Sequence, residues 1–339
     1  MELTDRKQQI LSTIVKAYVM TGEPVGSKAL CESLGGISSA TIRNEMSYLA
    51  EHGYLTQPHT SAGRIPTDRA YRLYIDRLMP RHSLSESERS HVQRLMPGSL
   101  GDSEQGVRSA LHALSNATRC AAIITTQVAS GTLIHRVELI PMGLGRALVV
   151  LVTSTGAVRS RLFGFSGQLT AAVINRFLEL VENQLIGCEL SLVHPATLQT
   201  LAAGAGEYAL VLTPLIAALG ELIEEASRSR LELVGETRLL SLGGLTLSKA
   251  HELFELFSRG DEVLAMLDAW GKESGVIIGG DTSYTALERS SLVLSRYKLG
   301  NTRSGYVGII GPTRMDYEFI LPCIEYFAQL LGSGETVKG

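Results

Sequence analysis

The chain has 339 residues, of which 45% are hydrophobic, and a mean hydropathy of +0.13. This is enough apolar material for two or three packed domains, so extensive disorder is excluded. The longest uninterrupted apolar run, at about residues 147–152, falls far short of the roughly 20 residues of a membrane-spanning helix. The charged start MELTDRKQQ is not followed by the apolar segment of a secretory signal. We therefore expect a cytoplasmic protein without a membrane partner.

Charge is distributed unevenly along the chain. The formal net charge is −3, but residues 1–81 carry ten Lys or Arg against eight Asp or Glu, a net of +2, which leaves −5 for the remainder. This is the sign expected if the first segment contacts DNA. The four cysteines are widely scattered, so neither a disulfide framework nor a zinc site is predicted. We expect buried, reduced thiols and no cofactor.

The first 80 residues predict a winged helix-turn-helix. A first helix begins at Thr4 or Asp5 and ends at the Gly22 turn, and a second covers about residues 27–34. A third helix, at about residues 39–52, follows after the short break at residues 35–36, which is the spacing of a helix-turn-helix. Residues 54–56 and 63–66 predict two short strands joined by the loop HTSAG.

The third helix has one apolar and one polar face. Ile42, Met46 and Leu49 recur at helical spacing toward a core, and Ser38 or Ser39 can cap the first turn. Arginine offers a donor fork for guanine, and asparagine pairs with adenine, so the polar face suits a major groove. A merely solvated helix face is the alternative. The polar face consists of Ser39, Thr41, Arg43, Asn44 and Tyr48.

Other residues of this segment are candidates for contacts with the DNA backbone. Arg64, predicted at the tip of the wing beside Gly63, suits a phosphate or minor-groove contact, although an ordinary loop arginine has the same pattern. His59, with Thr60 and Ser61, is a weaker candidate in the same loop. Ser27 and Lys28 begin the second helix, whose electropositive N-terminus attracts phosphate.

The remainder predicts a sheet interrupted by helices, in an α+β chain of several domains. A bridging helix at residues 68–79 and a linker at 81–104 precede four strands, at about 121–128, 133–140, 147–153 and 158–165. Helical patterns dominate residues 191–270, and strands return at about 276–278, 291–294 and 306–310. We therefore expect one antiparallel sheet domain in two parts, 105–190 and 271–339, with 191–270 inserted.

Two further groups of residues allow two interpretations. An apolar stripe that includes Phe254 and Phe257 is either core or a self-complementary dimer face, for which these two residues are the predicted anchors. Arg303, Arg314 and Asp316 fit structural turns and a helix cap better than an anion pocket. The sequence has no nucleophile elbow, H-E-x-x-H pair or P-loop, so we do not expect an enzyme.

Three strings of sequence resemble the heat-inducible transcription repressor HrcA family, and the likeness runs from end to end. They lie at residues 38–49, 61–74 and 305–317, and they include SAGRIPTDRAYRLY and GYVGIIGPTRMDY. The resemblance implies an N-terminal winged helix, a GAF-like domain and a dimerisation domain inserted into it. It also implies a dimer that binds an inverted repeat upstream of chaperone operons, blocks transcription and is inactivated by heat. Activity would be modulated by the chaperonin.

The alternative hypothesis is a regulator that responds to a small molecule. The GAF-like domain would then sense a small effector, and the chaperonin would have no part in regulation. An enzyme with an appended DNA-binding head has the least support.

Overall fold

The computed structural model describes residues 3–59, 62–80, 83–95, 104–128, 131–143, 145–241, 246–299 and 303–333. Helices alternate with antiparallel strands, which confirms the α+β class. The chain divides into two compact units. The first unit is Met1–Thr125, Leu231–Tyr297 and Gly305–Gly339, and the second unit is Thr126–Arg230 and Lys298–Ser304.

The helices and strands have the following bounds. The helices are α1 (Asp5–Thr21), α2 (Ser27–Leu34), α3 (Ser39–Glu51), α4 (Asp68–Leu73), α5 (Glu86–Leu95), α6 (Glu104–Thr118), α7 (Ala171–Gln184), α8 (Pro195–Ala203), α9 (Ala209–Ser227), α10 (Thr237–Ser241), α11 (Leu247–Ser258), α12 (Gly260–Trp270) and α13 (Tyr317–Ser333). The strands are β1 (Leu55–Thr56), β2 (Ile65–Pro66), β3 (Ala121–Val128), β4 (Ile134–Gly143), β5 (Arg146–Thr153), β6 (Val158–Gly164), β7 (Arg230–Val234), β8 (Ser274–Ile278), β9 (Ser290–Leu299) and β10 (Arg303–Pro312).

The N-terminal part of the first unit, residues 3–80, is hereafter called the head. Its helices α1, α2 and α3 surround a small core that contains Ile10, Ile14, Leu30 and Ile42, each no more than 1% exposed. Gly22 ends α1 in the left-handed conformation, with φ of 74°, which glycine adopts without a Cβ clash. The three helices and two short strands predicted for this segment are present.

The five-stranded sheet of the first unit has the strand order β7-β3-β10-β9-β8, with β8 antiparallel to β9. Consecutive residues of its strands are buried, as at Leu292, Val293 and Leu294, so both faces are covered. One face packs against α10, α11 and α12 through a cluster that includes Leu253 and Leu267. On β8, the edge strand, helix α13 makes a further contact.

The second unit contains a three-stranded antiparallel sheet in the order β4-β5-β6. One face of this sheet packs against α7, α8 and α9 through residues such as Val149, Leu151, Phe177 and Leu219. The segment Gly206–Ser227, which contains α9, is long and apolar enough to cross a membrane by length and composition alone. In the structure Leu212, Leu215, Leu219 and Leu222 contribute to this core.

The structure differs from the predicted arrangement of the sheet. The strands at about 133–140, 147–153 and 158–165 were expected to share a sheet with the strands after residue 271, but they form a sheet of their own in the second unit. The interrupting segment therefore begins after β3, near residue 126, instead of at 191, and it ends near 230 instead of at 270. Alternating apolar residues indicate a strand but not its partner, because pairing depends on residues distant in sequence.

The predicted dimer anchors also need correction. Helix α11, which carries Phe254 and Phe257, lies in the first unit and packs against its five-stranded sheet. Phe257 is only 5% exposed, and Phe254 is half-buried against the same cluster. A side chain in the core cannot contact a second copy, so the core interpretation of this stripe is the correct one for Phe257.

Candidate nucleic-acid interface

Helix α3 is fixed in the head by its cap and by one apolar face. The Ser38 hydroxyl accepts a hydrogen bond from the backbone N–H of Thr41 at 3.1 Å, and the two hydroxyl oxygens lie 2.9 Å apart. This cap satisfies a backbone donor that the helix itself leaves without a partner. Ile42 and Leu49 are fully buried and Met46 is 5% exposed. The opposite face of α3 is therefore held toward solvent.

Arg43 and Asn44 lie on this outer face, and both are exposed. The predicted pair of base-reading side chains is thus available to a ligand. Tyr48, one helical turn further along α3, was predicted on the same DNA-facing side but has other partners. Its ring stacks on the His52 ring at 3.9 Å between centroids, and the Lys7 ammonium lies 4.5 Å from its centroid. Tyr48 is thus held against side chains of the head itself.

The N-termini of α2 and α3 meet at two serines. The hydroxyl oxygens of Ser27 and Ser39 are 3.3 Å apart, and the exposed side chain of Lys28 follows on α2. Each helix N-terminus carries a partial positive charge and unpaired N–H groups. The structure therefore brings the two predicted phosphate-binding residues, Ser27 and Lys28, next to Ser39, which was predicted on the polar face of α3.

The two-stranded ribbon is joined to the turn between α1 and α2. Leu55 pairs with Pro66 and Thr56 with Ile65, and Val25 exchanges both backbone hydrogen bonds with Arg64 at 2.9 Å. A Cβ on Gly63 would lie 2.5 Å from the backbone of Val25, which only glycine avoids. The ribbon is thus fixed to the helices.

Arg64 does not lie at the tip of the ribbon, which corrects its predicted position. The bridge to Val25 places it at the base, half-buried, and its guanidinium donates a hydrogen bond to the side-chain oxygen of Gln57. His59 is exposed in the loop between the strands. Thr60 and Ser61, also predicted to contact DNA, lie outside the described residues.

The head is attached to the five-stranded sheet within the first unit. Tyr71 of α4 is 3% exposed, and its ring meets that of the buried Tyr317 edge-on at 6.1 Å between centroids. Arg314, predicted to serve a turn, reaches the last turn of α1 instead, with its Nη1 3.4 Å from the carbonyl oxygen of Val19. These partners are separated by more than 200 residues, so no local pattern could reveal them.

Burial shifts the pKa of two groups at this attachment and of one thiol next to strand β3. Burial, and to a lesser extent the nearby Asp281 carboxylate, raise the pKa of Asp68 at the start of α4. Burial is also the main cause of the raised pKa of the Tyr71 hydroxyl. Buried Cys120 is a free thiol whose pKa is raised by burial to about 12, so it stays protonated and unreactive at neutral pH.

Comparison with known proteins identifies the family of the chain. The family model described as HrcA protein C terminal domain matches residues 104–321. The chain is 33% identical to a heat-inducible transcription repressor HrcA of Thermobifida fusca, over 97% of this chain and 96% of the relative. The chain belongs to the HrcA family. As a member of this family of heat-inducible transcription repressors, it is a negative regulator of heat-shock transcription.

Two further comparisons extend over at least 96% of the chain. A heat-inducible transcription repressor HrcA of Acetivibrio thermocellus is 31% identical over 96% of this chain and 94% of the relative. A crystal structure described as that of a hypothetical protein superimposes with a TM-score of 0.70 at 25% identity, covering 100% of both chains. The likeness to the repressors thus includes the head, which lies outside the matched family model.

Proposed function

We propose that the chain represses heat-shock chaperone operons as a homodimer that binds an inverted-repeat operator through two winged-helix heads. The observation that carries this proposal is the exposed pair Arg43 and Asn44 on a capped helix whose other face is buried in the head. Arginine and asparagine read guanine and adenine through paired hydrogen bonds in the major groove. Helix α3 is then the recognition helix, and the ribbon β1–β2 is the wing.

Phosphate contacts on one side of α3 would fix the register of the head on the duplex. Ser27, Ser39 and Lys28 supply two hydroxyls and an ammonium where two helix N-termini meet. On the wing, His59 is exposed and Arg64 lies at the base of the ribbon. Thr41 and Tyr48 are engaged within the head, so we assign them to positioning α3.

An inverted repeat calls for two heads related by a two-fold axis. We place the dimer contact on the outer face of the sheet in the second unit, which replaces Phe254 and Phe257 as the predicted surface. The face has an apolar row in which Ile140 pairs with Leu148 and Leu148 with Leu162. Ile140 is 43% exposed and Leu162 is 47% exposed. Adjacent exposed apolar side chains of this kind mark protein contacts.

The five-stranded sheet of the first unit is proposed to be the GAF-like domain, with the second unit as its insertion. Helices cover both faces of this sheet, and the chain leaves it after β3 and returns at β7. Heat would inactivate the repressor because active states are only a few kcal/mol more stable than inactive ones. We propose that the chaperonin supports the active state.

The test is a mobility-shift titration of the purified full-length protein on its own chaperonin promoter. A matched duplex with one half of the inverted repeat scrambled is the control. We expect at least about a hundredfold weaker binding to the control, because two tethered heads bind with a high effective concentration. Equal binding to both duplexes would contradict the proposal.

The role of the chaperonin needs a separate experiment. After mild heating of the repressor, adding chaperonin and ATP should restore its binding to the operator faster than buffer alone.

A second candidate function is regulation by a small effector. A cavity of about 640 Å³ in the first unit is lined by Trp270 and Tyr284, with Arg72 and Lys272 among its polar residues. Cavities of this size and mixed lining hold small molecules in other proteins. A thermal-shift screen of metabolites, followed by operator titration, tests this function. A ligand that changes operator affinity without chaperonin would favour it.

A further inference from the structure

The attachment of the head to the sheet involves charged contacts at three places. These contacts are hereafter called the latch, which consists of Lys16, Arg72, Asp281, Arg314 and Glu318. All five residues belong to the first unit. Lys16 and Arg72 lie on the head, and the other three lie on the sheet and on or next to α13. None of them lies on α3 or the ribbon, the elements proposed to contact DNA.

The first contact is at the C-terminal end of α1. The guanidinium of Arg314 lies 3.4 Å from the Val19 carbonyl oxygen and 6.0 Å from the centroid of the Tyr18 ring. A cation at this end of a helix is favoured by the helix dipole and by the unpaired carbonyls, and α1 has no basic residue in its own last turn. A Cβ on Gly22 would lie 2.6 Å from the same guanidinium. Arg314 therefore replaces the basic residue that α1 lacks.

The second contact is at Glu318, on the first turn of α13. Its carboxylate lies 2.9 Å from the ammonium of Lys16 in α1 and accepts a hydrogen bond from the hydroxyl of Tyr74. Tyr74 opens a π-helical turn, Tyr74–Leu78, that continues α4 toward the C-terminal end of the head. One carboxylate thus holds two segments of the head, α1 and the end of the bridging helix.

The third contact is at the edge strand β8. The guanidinium of Arg72 donates a hydrogen bond to the carbonyl oxygen of Val276 at 3.1 Å and pairs with the carboxylate of Asp281 just after that strand. This contact occupies an edge carbonyl that the sheet leaves unpaired. Both partners of Arg72 lie more than 200 residues away in sequence.

We propose that the latch residues position the DNA-binding head, and that they thereby set the half-site separation that the operator must have. Three separate contacts restrict the orientation of the head more than one flexible tether does. A dimer with fixed heads accepts one separation and one helical phase of the half-sites. A dimer with loosely held heads accepts several separations, but the effective concentration of its second head at the second half-site is lower. This inference rests on the proposed function.

The test compares operators whose half-site separation differs. The natural operator is compared with versions carrying insertions of about 2 and about 5 base pairs, the latter close to half a helical turn. For the wild type we expect binding weakened on the order of tenfold or more by the longer insertion. Arg314→Ala and Glu318→Gln should reduce this discrimination several-fold. Their affinity for a duplex with a single half-site should not change.

Controls separate the latch from general damage. Arg259→Ala removes an arginine at the junction of α11 and α12 whose only ion-pair partner among the described residues is Glu262, in the first turn of α12, at 3.5 Å. This variant should discriminate like the wild type. Lys16→Glu should resemble Glu318→Gln, and the double variant Lys16→Glu, Glu318→Lys should recover part of the discrimination. Such recovery depends on the reformed ion pair, so variants that merely misfold would not show it.

Two outcomes would overturn the inference. One is a wild type that prefers the natural operator over scrambled DNA but tolerates every separation. The other is a set of latch variants that keep the wild-type discrimination. If the wild type does not prefer the natural operator at all, the proposed repressor function fails instead, so the two failures are distinguishable.

Discussion

Tyr71 and Tyr317 offer a paired test of the attachment between the head and the sheet. Their rings meet edge-on, and their exposed fractions are 3% and 1%. The Tyr71 hydroxyl has no hydrogen-bond partner among the described residues. The Tyr317 hydroxyl donates to the carbonyl oxygen of Thr313 at 2.7 Å and lies 2.9 Å from the Ser291 hydroxyl oxygen. The same substitution at the two sites should therefore have opposite effects.

The expected sizes follow from the cost of a buried polar group. A buried hydroxyl without a partner costs about 1–3 kcal/mol, so Tyr71→Phe should stabilise the first unit by about 1 kcal/mol once lost contacts are allowed for. Tyr317→Phe should destabilise it by about 1–3 kcal/mol, because it removes the hydrogen bonds of the buried Tyr317 hydroxyl to the Thr313 carbonyl and the Ser291 hydroxyl. For a unit of this size, 1 kcal/mol corresponds to about 2–4 °C in melting temperature.

The assay is chemical denaturation followed by fluorescence of Trp270, which lies in the first unit and contacts the Tyr306 ring at 5.7 Å. Denaturation midpoints and slopes should be compared for the wild type and both variants. A similar loss of stability in the two variants would refute the reasoning, because it would mean that Tyr71 makes a hydrogen bond of equal value.

Three further predictions concern the head and the dimer. Asp68→Asn should stabilise the protein at pH 7 and have little effect below about pH 4. Burial raises the pKa of Asp68 in the folded state, so the wild type loses stability as the pH rises through that pKa and the buried carboxyl becomes charged. The side-chain amide of the variant stays neutral and avoids this loss. Denaturation of the wild type and the variant at both pH values measures this effect. The same difference in stability between the two proteins at both pH values would contradict the prediction. Leu162→Asp should dissociate the proposed dimer in sedimentation experiments, whereas Leu247→Asp, at an exposed leucine of the first unit, should not. Ser38→Ala should lower stability by about 1 kcal/mol through loss of the hydrogen bond to Thr41, measured by urea denaturation.

The head could be predicted from sequence because its signals are local. The Ser38 cap, the Gly22 stop and the spacing of Ile42, Met46 and Leu49 each depend on neighbours in the chain. The position of Arg64 could not be predicted, because it follows from a backbone pairing with Val25, 39 residues earlier. Local sequence patterns thus predict the helices and strands, whereas the position of a side chain such as that of Arg64 depends on backbone pairing with distant residues.

The division into units shows the same limit. Strands β4, β5 and β6 were predicted from their alternation, but their separate sheet follows from packing against α7 and α9. Strand β7 was missed, since its five residues RLELV lie among charged residues in a segment dominated by helical patterns. Phe257 was misassigned because a helix that is apolar on one side looks the same whether it faces a sheet or a second copy.

The most direct test of base recognition by α3 is a titration of Arg43→Ala and Asn44→Ala on the operator and on scrambled DNA of equal length and charge. If these exposed side chains read bases, each substitution should lower the preference for the operator by about 1–3 kcal/mol and leave binding to scrambled DNA nearly unchanged. Equal weakening on both DNAs would show that they contact only phosphate, and an unchanged preference would show that α3 is not the recognition helix.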